Sequence, residues 1–253
     1  MLPKAVILVA GRGRRLLPRT QSCPKCLLPI GESTIIEHQL CNLSNLGFEE
    51  VVLVCGFGAD KIRCAAARFG GTLDIQIVVN EQFEVGDNLI SLWAARHSLD
   101  RSFVLLNGDN LFHPNILESL TSAREGCCLM ISQKDCYDGD DMKVRTAGTR
   151  IVEIGKELDP HTADAESIGI MRFASGAVDV LKERLENIVS GDRETDCCYL
   201  TAVQAMIDTS YPVHFRDAGG LPWADVDTFD DLSFARTHMS MFSQSARDWL
   251  EPA

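Results

Sequence analysis

The residues of this chain best suited to chemistry begin between Ala5 and Lys25, AVILVAGRGRRLLPRTQSCPK. A continuous apolar run ends at Ala10 and gives way to Gly11-Arg12-Gly13-Arg14-Arg15. Glycines just past a buried strand let backbone N–H groups approach an oxyanion with no Cβ in the way. The arginines and Lys25 add charge-assisted hydrogen bonds suited to phosphate oxygens. The pattern predicts a phosphate-gripping loop. A dinucleotide fingerprint would need a third glycine where Leu16 stands, and a Walker A loop would need a following Gly-Lys-Ser/Thr. The bland alternative is a tight turn that is merely rich in Gly and Arg.

Two further stretches supply carboxylates. In Phe103–Phe112, FVLLNGDNLF, an apolar run delivers Asp109 just past Gly108. That is the carboxyl end of a strand, where open α/β sheets bind ligands. A carboxylate there can hold Mg²⁺ against a triphosphate, although Gly-Asp after a strand also serves simply as a turn. In Leu221–Leu232, LPWADVDTFDDL, Asp225 and Asp227 alternate, so both face one side of an extended segment. They can complete the oxygen shell that Asp109 begins. The same region can also cap a last helix starting at Thr228 or Asp230.

Charge bounds the partner. The net charge of −12 argues against non-specific nucleic-acid binding. Yet Lys4, Arg12, Arg14, Arg15, Arg19 and Lys25 precede the first acidic residue, Glu32. A local cationic patch on an acidic chain suits a small polyanion such as a nucleotide. The ten cysteines are scattered, and only Cys23-Pro24-Lys25-Cys26 has metal or redox spacing, so reduced structural thiols are expected. The longest apolar run is too short to cross a bilayer and has no cleavage site after it, which points to a cytoplasmic protein without a membrane partner.

These residues need a frame. Apolar runs at Ala5–Ala10, Val51–Cys55, Ile75–Val79, Phe103–Leu106 and Cys128–Ser132 read as strands covered on both faces. Helical spacing alternates with them at Ser33–Leu46, Ala59–Phe69, Asp87–Leu99 and Pro114–Ala123. This order predicts an α/β fold, a Rossmann-like, doubly wound, mostly parallel sheet. From about residue 134 the pattern changes to a hairpin at Lys143–Thr146 and Arg150–Ile154 and a strand at Glu166–Phe173. Helices follow at Gly176–Ile188 and Asp196–Ile207, then a short strand at Val213–Arg216 and a terminal helix over Asp230–Leu250.

The first segment resembles the signature of the sugar-phosphate and choline-phosphate nucleotidyltransferases, through Gly11, Gly13, Arg15, Pro18, Thr20, Pro24, Lys25 and Leu27. Arg14 stands where that family usually has Ser or Thr. Trp223 to Leu232 is similar to the closing motif of the choline-phosphate branch, with Asp225 in place of a Glu. Gly86–Ala95, GDNLISLWAA, and the segments around Asp141–Val144, Ile154–Leu158 and Glu166–Gly169 extend the resemblance into the acceptor side.

What the resemblance implies is a single nucleotidyltransferase domain over 1–253, of the nucleotide-diphospho-sugar transferase type. Residues 1–133 would form the nucleotide half, 134–236 the acceptor half and 237–253 a C-terminal helix. Ala10, Gly11, Gly13, Arg14, Arg15, Lys25, Asn88, Ser91 and Gly108 would bind the nucleotide. Lys25, Arg15 and Asp109 would be catalytic, and Asp109, Asp225 and Asp227 would hold Mg²⁺. Lys143, Lys156 and Glu166 would meet the acceptor, with Asp141 orienting it. Tyr137, Tyr199 and Trp223 could cage a quaternary ammonium, or pack as core. Alternatively, Asp138, Asp140, Glu194 and Asp196 could answer a primary amine. The implied reaction transfers CMP from CTP to a small phosphate or phosphonate acceptor, phosphocholine or 2-aminoethylphosphonate in type. The rivals are an inositol-phosphate or sugar-1-phosphate nucleotidyltransferase and a non-catalytic nucleotide-binding protein; a homodimer is left open.

Overall fold

The apolar runs do become strands, and their alternation builds two cores. The computed structural model describes residues 2–191 and 197–243. Strands β1 (Lys4–Val9), β2 (Glu50–Cys55), β3 (Asp74–Val79) and β4 (Phe103–Asn107) are separated by helices α1 (Ile35–Asn45), α2 (Ala59–Ala66) and α3 (Asn88–Ala94). All four strands are parallel, in the order β3-β2-β1-β4. Along β1, Val6 and Leu8 face one core while Ala5, Ile7 and Val9 face the other. That period of two is what a strand buried on both faces requires. Edge strand β3 alternates between exposed and half-buried instead.

Beyond β4 come β5 (Asn110–Phe112), α4 (Pro114–Thr121), β6 (Cys127–Ser132), the hairpin β7 (Lys143–Ala147) and β8 (Arg150–Gly155), and the long β9 (Ala165–Phe173). Helices α5 (Ser175–Val189) and α6 (Leu200–Asp208), strands β10 (His214–Asp217) and β11 (Trp223–Asp225), and helix α7 (Phe229–Thr237) complete the chain. The sheet continues past β4 as β9-β6-β10-β8-β7. Its parallel character is interrupted at β9, which runs antiparallel to β4, β6 and β7, and resumes in the parallel pair β6 and β10. Helices α1, α2 and α4 cover one face, and α3, α5 and α6 the other.

Three expectations shift. Helix α3 stops at Ala94, well short of Leu99. The terminal helix ends at Thr237, where the chain turns at His238 so that Met239 and Phe242 pack back on the preceding elements; residues 244–253 of that expected helix lie outside the described residues, as do Glu194 and Asp196. The third is a two-stranded ribbon between β5 and β11, unread in the sequence, that pairs Asp225 with Asn110.

A small third core holds the ribbon in place. Leu16 and Leu28 from the basic loop, Leu111 of β5, Val226 after β11 and Leu232 of α7 are buried together. Leu16, standing where a dinucleotide loop would have glycine, is the anchor of this cluster on the loop side.

Candidate active site

β1 lies between β2 and β4, so the chain turns one way after β1 and the other way before β4. Ligands in open α/β sheets sit at such a switch point, outside the carboxyl ends of the strands. The loop after β1 and the Gly108-Asp109 turn after β4 meet there.

The loop's geometry explains its glycines. Gly13 has φ +64°, and a Cβ on it would stand 2.9 Å from Lys25 Cβ. The Gly13 carbonyl accepts hydrogen bonds from Thr20 Oγ1 at 2.7 Å and Leu16 N at 3.0 Å. Glycine therefore lets the loop fold down onto Lys25. Gly11 is exposed, with open space around its Cα, and Ala10 is buried with its carbonyl accepting from Phe57 N. At Gly108 a Cβ would stand 2.5 Å from the Leu8 carbonyl oxygen, so only glycine lets the turn sit against β1.

Lys25 joins the motifs. Its ammonium bonds Asp109 Oδ2 at 2.8 Å and also Asp227 Oδ1. Arg15 Nη2 holds the other Asp227 oxygen at 2.7 Å and Arg15 Nη1 lies 3.5 Å from Asp140. Burial alone would weaken the Lys25 charge, but the two carboxylates outweigh it and hold the ammonium well above its ordinary range. Lys25 is thus a fixed cation and not a base. Burial likewise pushes Asp227 up, and Lys25 and Arg15 reverse the sign, leaving it low. For Asp225 the balance falls the other way: desolvation and the neighbouring Asp109 outweigh the pull of Lys25 and raise its carboxyl well above the carboxylate range.

Asp109 Oδ1 and Asp225 Oδ1 are buried without a hydrogen-bond partner. Among the described residues no group of three or more His, Cys, Asp or Glu is arranged to hold a metal ion. Mg²⁺, however, commonly takes one or two carboxylates and fills its shell with substrate oxygens and water. The Asp109/Asp225 pair fits that demand, while both Asp227 oxygens are engaged by cations.

These residues open into a cleft of about 540 Å³. Arg15, Asn88, Lys156, Glu166, Trp223 and Asp225 line it, as the sequence suggests. Lys134, Asn107 and Asp87 line it too, and were not foreseen. Lys134 donates to Asp141 Oδ1 at 2.8 Å and Glu166 Oε2 at 3.0 Å. It follows directly on the carboxyl end of β6, the one signal that could have found it. Burial pushes the Glu166 carboxyl up to about 7, against the pull of Lys134.

Ala10, Gly11, Gly13, Lys25 and Gly108 do not themselves line the cleft, and five further expected residues lie elsewhere. Lys143 is 1% exposed, and its ammonium donates to the carbonyls of Asp138 at 2.8 Å and Asp141 at 3.3 Å. It props the acidic loop from beneath and does not face an acceptor. Tyr199 is fully buried in the core under α5 and α6, and Tyr137 lies outside the cleft with its hydroxyl accepting from Lys134 N. Of the proposed aromatic cage only Trp223 remains. Ser91 is buried, accepting from Asn80 Nδ2 at 3.1 Å. Arg14 is exposed and joins Arg12 beside a separate surface hollow over Pro18 and Thr20.

With this geometry in view, the relationships of the chain are plain. It belongs to the MobA-like NTP transferase domain family, which it matches over residues 5–163. It is 37% identical over 130 residues to the CMP-5'-(3-aminopropyl)phosphonate synthase of Streptomyces rubellomurinus, a match covering 51% of this chain and 21% of that protein. It is 26% identical over 148 residues to the choline-phosphate cytidylyltransferase of Streptococcus pneumoniae, covering 56% of this chain and 62% of the relative. The chain thus spans less than two thirds of the length of these relatives. The inositol-1-phosphate CTP transferase from T. maritima shares the fold with a TM-score of 0.80, at 26% identity over 95% of this chain and 96% of that one. The nucleotide-diphospho-sugar transferase type of mixed α/β fold is therefore the architecture here.

Proposed function

We propose that the protein is a Mg²⁺-dependent cytidylyltransferase that moves CMP from CTP to a small phosphate or phosphonate bearing a primary amine, releasing pyrophosphate. The observation that carries this reading is the charge chain Arg15–Asp227–Lys25–Asp109 at the switch point, which ties the phosphate loop to two half-buried carboxylates. The names of the relatives support CTP as the donor.

An acceptor phosphate oxygen is already largely ionised, since the second pKa of a phosphate monoester is near ~6. No general base is needed, and the fixed charge on Lys25 agrees with that. What the site must supply is approach of two polyanions and stabilisation of charge in transfer. The open backbone at Gly11, with Arg15, would hold the β and γ phosphates, and Lys25 would lie at the α-phosphate. Asp109 and Asp225 would hold Mg²⁺, which polarises the α-phosphate when bound. Lys134 and Lys156 would meet the acceptor's phosphate or phosphonate. A cytoplasmic location goes with a nucleoside triphosphate substrate.

The loss of Tyr137 and Tyr199 from the cleft favours a primary amine over a quaternary ammonium, because acidic Asp138 and Asp140 line it instead. An inositol phosphate acceptor is the second reading, supported by the match to the T. maritima transferase over nearly the whole of both chains. Purified protein with CTP, Mg²⁺ and a panel of 2-aminoethylphosphonate, phosphocholine, inositol 1-phosphate and glucose 1-phosphate, followed by pyrophosphate release, ranks them. Faster turnover of 2-aminoethylphosphonate is expected. A faster inositol or glucose phosphate would overturn the amine assignment, and no pyrophosphate with any acceptor would count against the enzyme.

A further inference from the structure

Helix α1 lies behind the sheet, outside the cleft, yet its buried face is not purely apolar. His38, Gln39 and Asn42 are all buried among Ile35, Ile36, Leu40 and Leu43. Buried amides are costly unless their hydrogen-bonding groups find partners, so their partners show what the helix is holding. Gln39 Nε2 donates to the Asn107 carbonyl and to the Asn110 carbonyl, each at 2.8 Å. Both amide hydrogens are used, and both acceptors are carbonyls, so only the NH₂ end of the side chain can face them. Those two carbonyls bracket Gly108 and Asp109.

The rest of the turn is held as firmly. Gly108 N donates to Leu8 O at 3.0 Å, and Val226 N donates to Asp109 O at 3.1 Å. Asn110 Nδ2 donates to the Ile168 carbonyl. β1, β9, β11 and α1 therefore each hold one part of a tight turn, with Gln39 spanning it from the side away from the cleft.

We infer that Gln39 is a positioning residue for the reaction: its amide clamps the Asn107 and Asn110 carbonyls and thereby fixes the direction in which Asp109 presents its carboxylate to Lys25 and the nucleotide. It touches no substrate. The inference rests on the reading of Asp109 as a catalytic carboxylate, and it deepens that reading.

Asn42 supplies the control. It is an equally buried amide on the same helix, and its Nδ2 donates to the Phe112 carbonyl at 3.2 Å, away from Asp109. In Gln39→Leu, kcat for pyrophosphate release falls about tenfold or more below that of Asn42→Leu, since small misplacements at a reacting centre are costly. KM for CTP and acceptor stays within about threefold. Melting temperatures of the two variants fall together, and amide hydrogen exchange over residues 108–110 quickens in Gln39→Leu alone. Equal kcat in the two variants, or unchanged exchange over 108–110, overturns the inference.

Should Gln39→Leu not fold, Gln39→Glu carries the test. A protonated carboxyl still donates to one carbonyl and an ionised one to neither, so its activity relative to the wild type must rise as pH falls. A flat ratio overturns the clamp. Asp109→Ala separates the two readings: if its turnover equals the wild type, the catalytic assignment falls, while the exchange measurement still decides whether Gln39 orders the turn.

Discussion

Lys25 holds its proton because two carboxylates surround it, and this decides what it can do. A cation that cannot be discharged can neutralise a phosphate and cannot accept a proton from an acceptor. Lys25→Ala should leave CTP binding near normal by calorimetry and lower turnover by orders of magnitude; unchanged turnover would remove it from the mechanism. Glu166 behaves in the opposite way. Its folded value, about 7, lies above the ordinary 4.5, so the folded state holds this proton more tightly than the unfolded chain does. The stability it contributes is complete below about pH 4.5 and is lost as pH rises through about 7. The melting temperature of Glu166→Gln should match the wild type in acid and exceed it increasingly up to about pH 8. A constant gap would show that the group titrates normally. That Lys25, Arg15 and Asp109 would meet was legible through the motifs that carry the resemblance, because strand ends and glycines constrain where these residues go. Lys143 was not, because a lysine's long stem lets its charge end far from its Cα.

At the scale of elements, the basic loop is positioned by one side chain as much as by its glycines. Leu16 is fully buried in the third core, against β5, β11 and α7. Leu16→Ala should cost about 2–5 kcal/mol in denaturant unfolding and raise KM for CTP more than KM for the acceptor. An equal rise in both would mean that the cluster supports the whole site and not the loop alone. Helix α7 starts on Thr228, whose side chain and that of Asp231 cap each other's backbone, so the capping role and the cleft role of this segment coexist. The parallel half was readable because long apolar runs alternate with well-capped helices. The β5/β11 ribbon was not, because three-residue strands carry no period, and their pairing depends on a partner more than a hundred residues away.

The whole molecule is spliced by β9. It pairs with β4 and β6 of the nucleotide half and with β7 of the acceptor half, and it carries Glu166 into the cleft. Truncating the chain near residue 133 would leave β4 with one bare edge, so the halves are regions of one sheet and not separable modules. The loop between β6 and β7 is different: Asp138 and Asp141 are bonded mainly within the loop and to Lys143 and Lys134, while the Asp140 carboxylate faces Arg15 and Lys156. Asp138→Asn keeps the oxygen that accepts from Asp140 N and Asp141 N and removes only the charge. It should raise KM for an amine-bearing acceptor by about twofold to fivefold, as loss of an exposed charge contact does, and leave KM for CTP unchanged.

The loop between β6 and β7 thus rests mainly on a buried ammonium and its own turn bonds and reaches the phosphate loop through Asp140, while the sheet behind it is continuous. Lineages descended from such an ancestor could exchange one acceptor for another by rewriting a single surface excursion around Asp140, with the donor chemistry inherited intact.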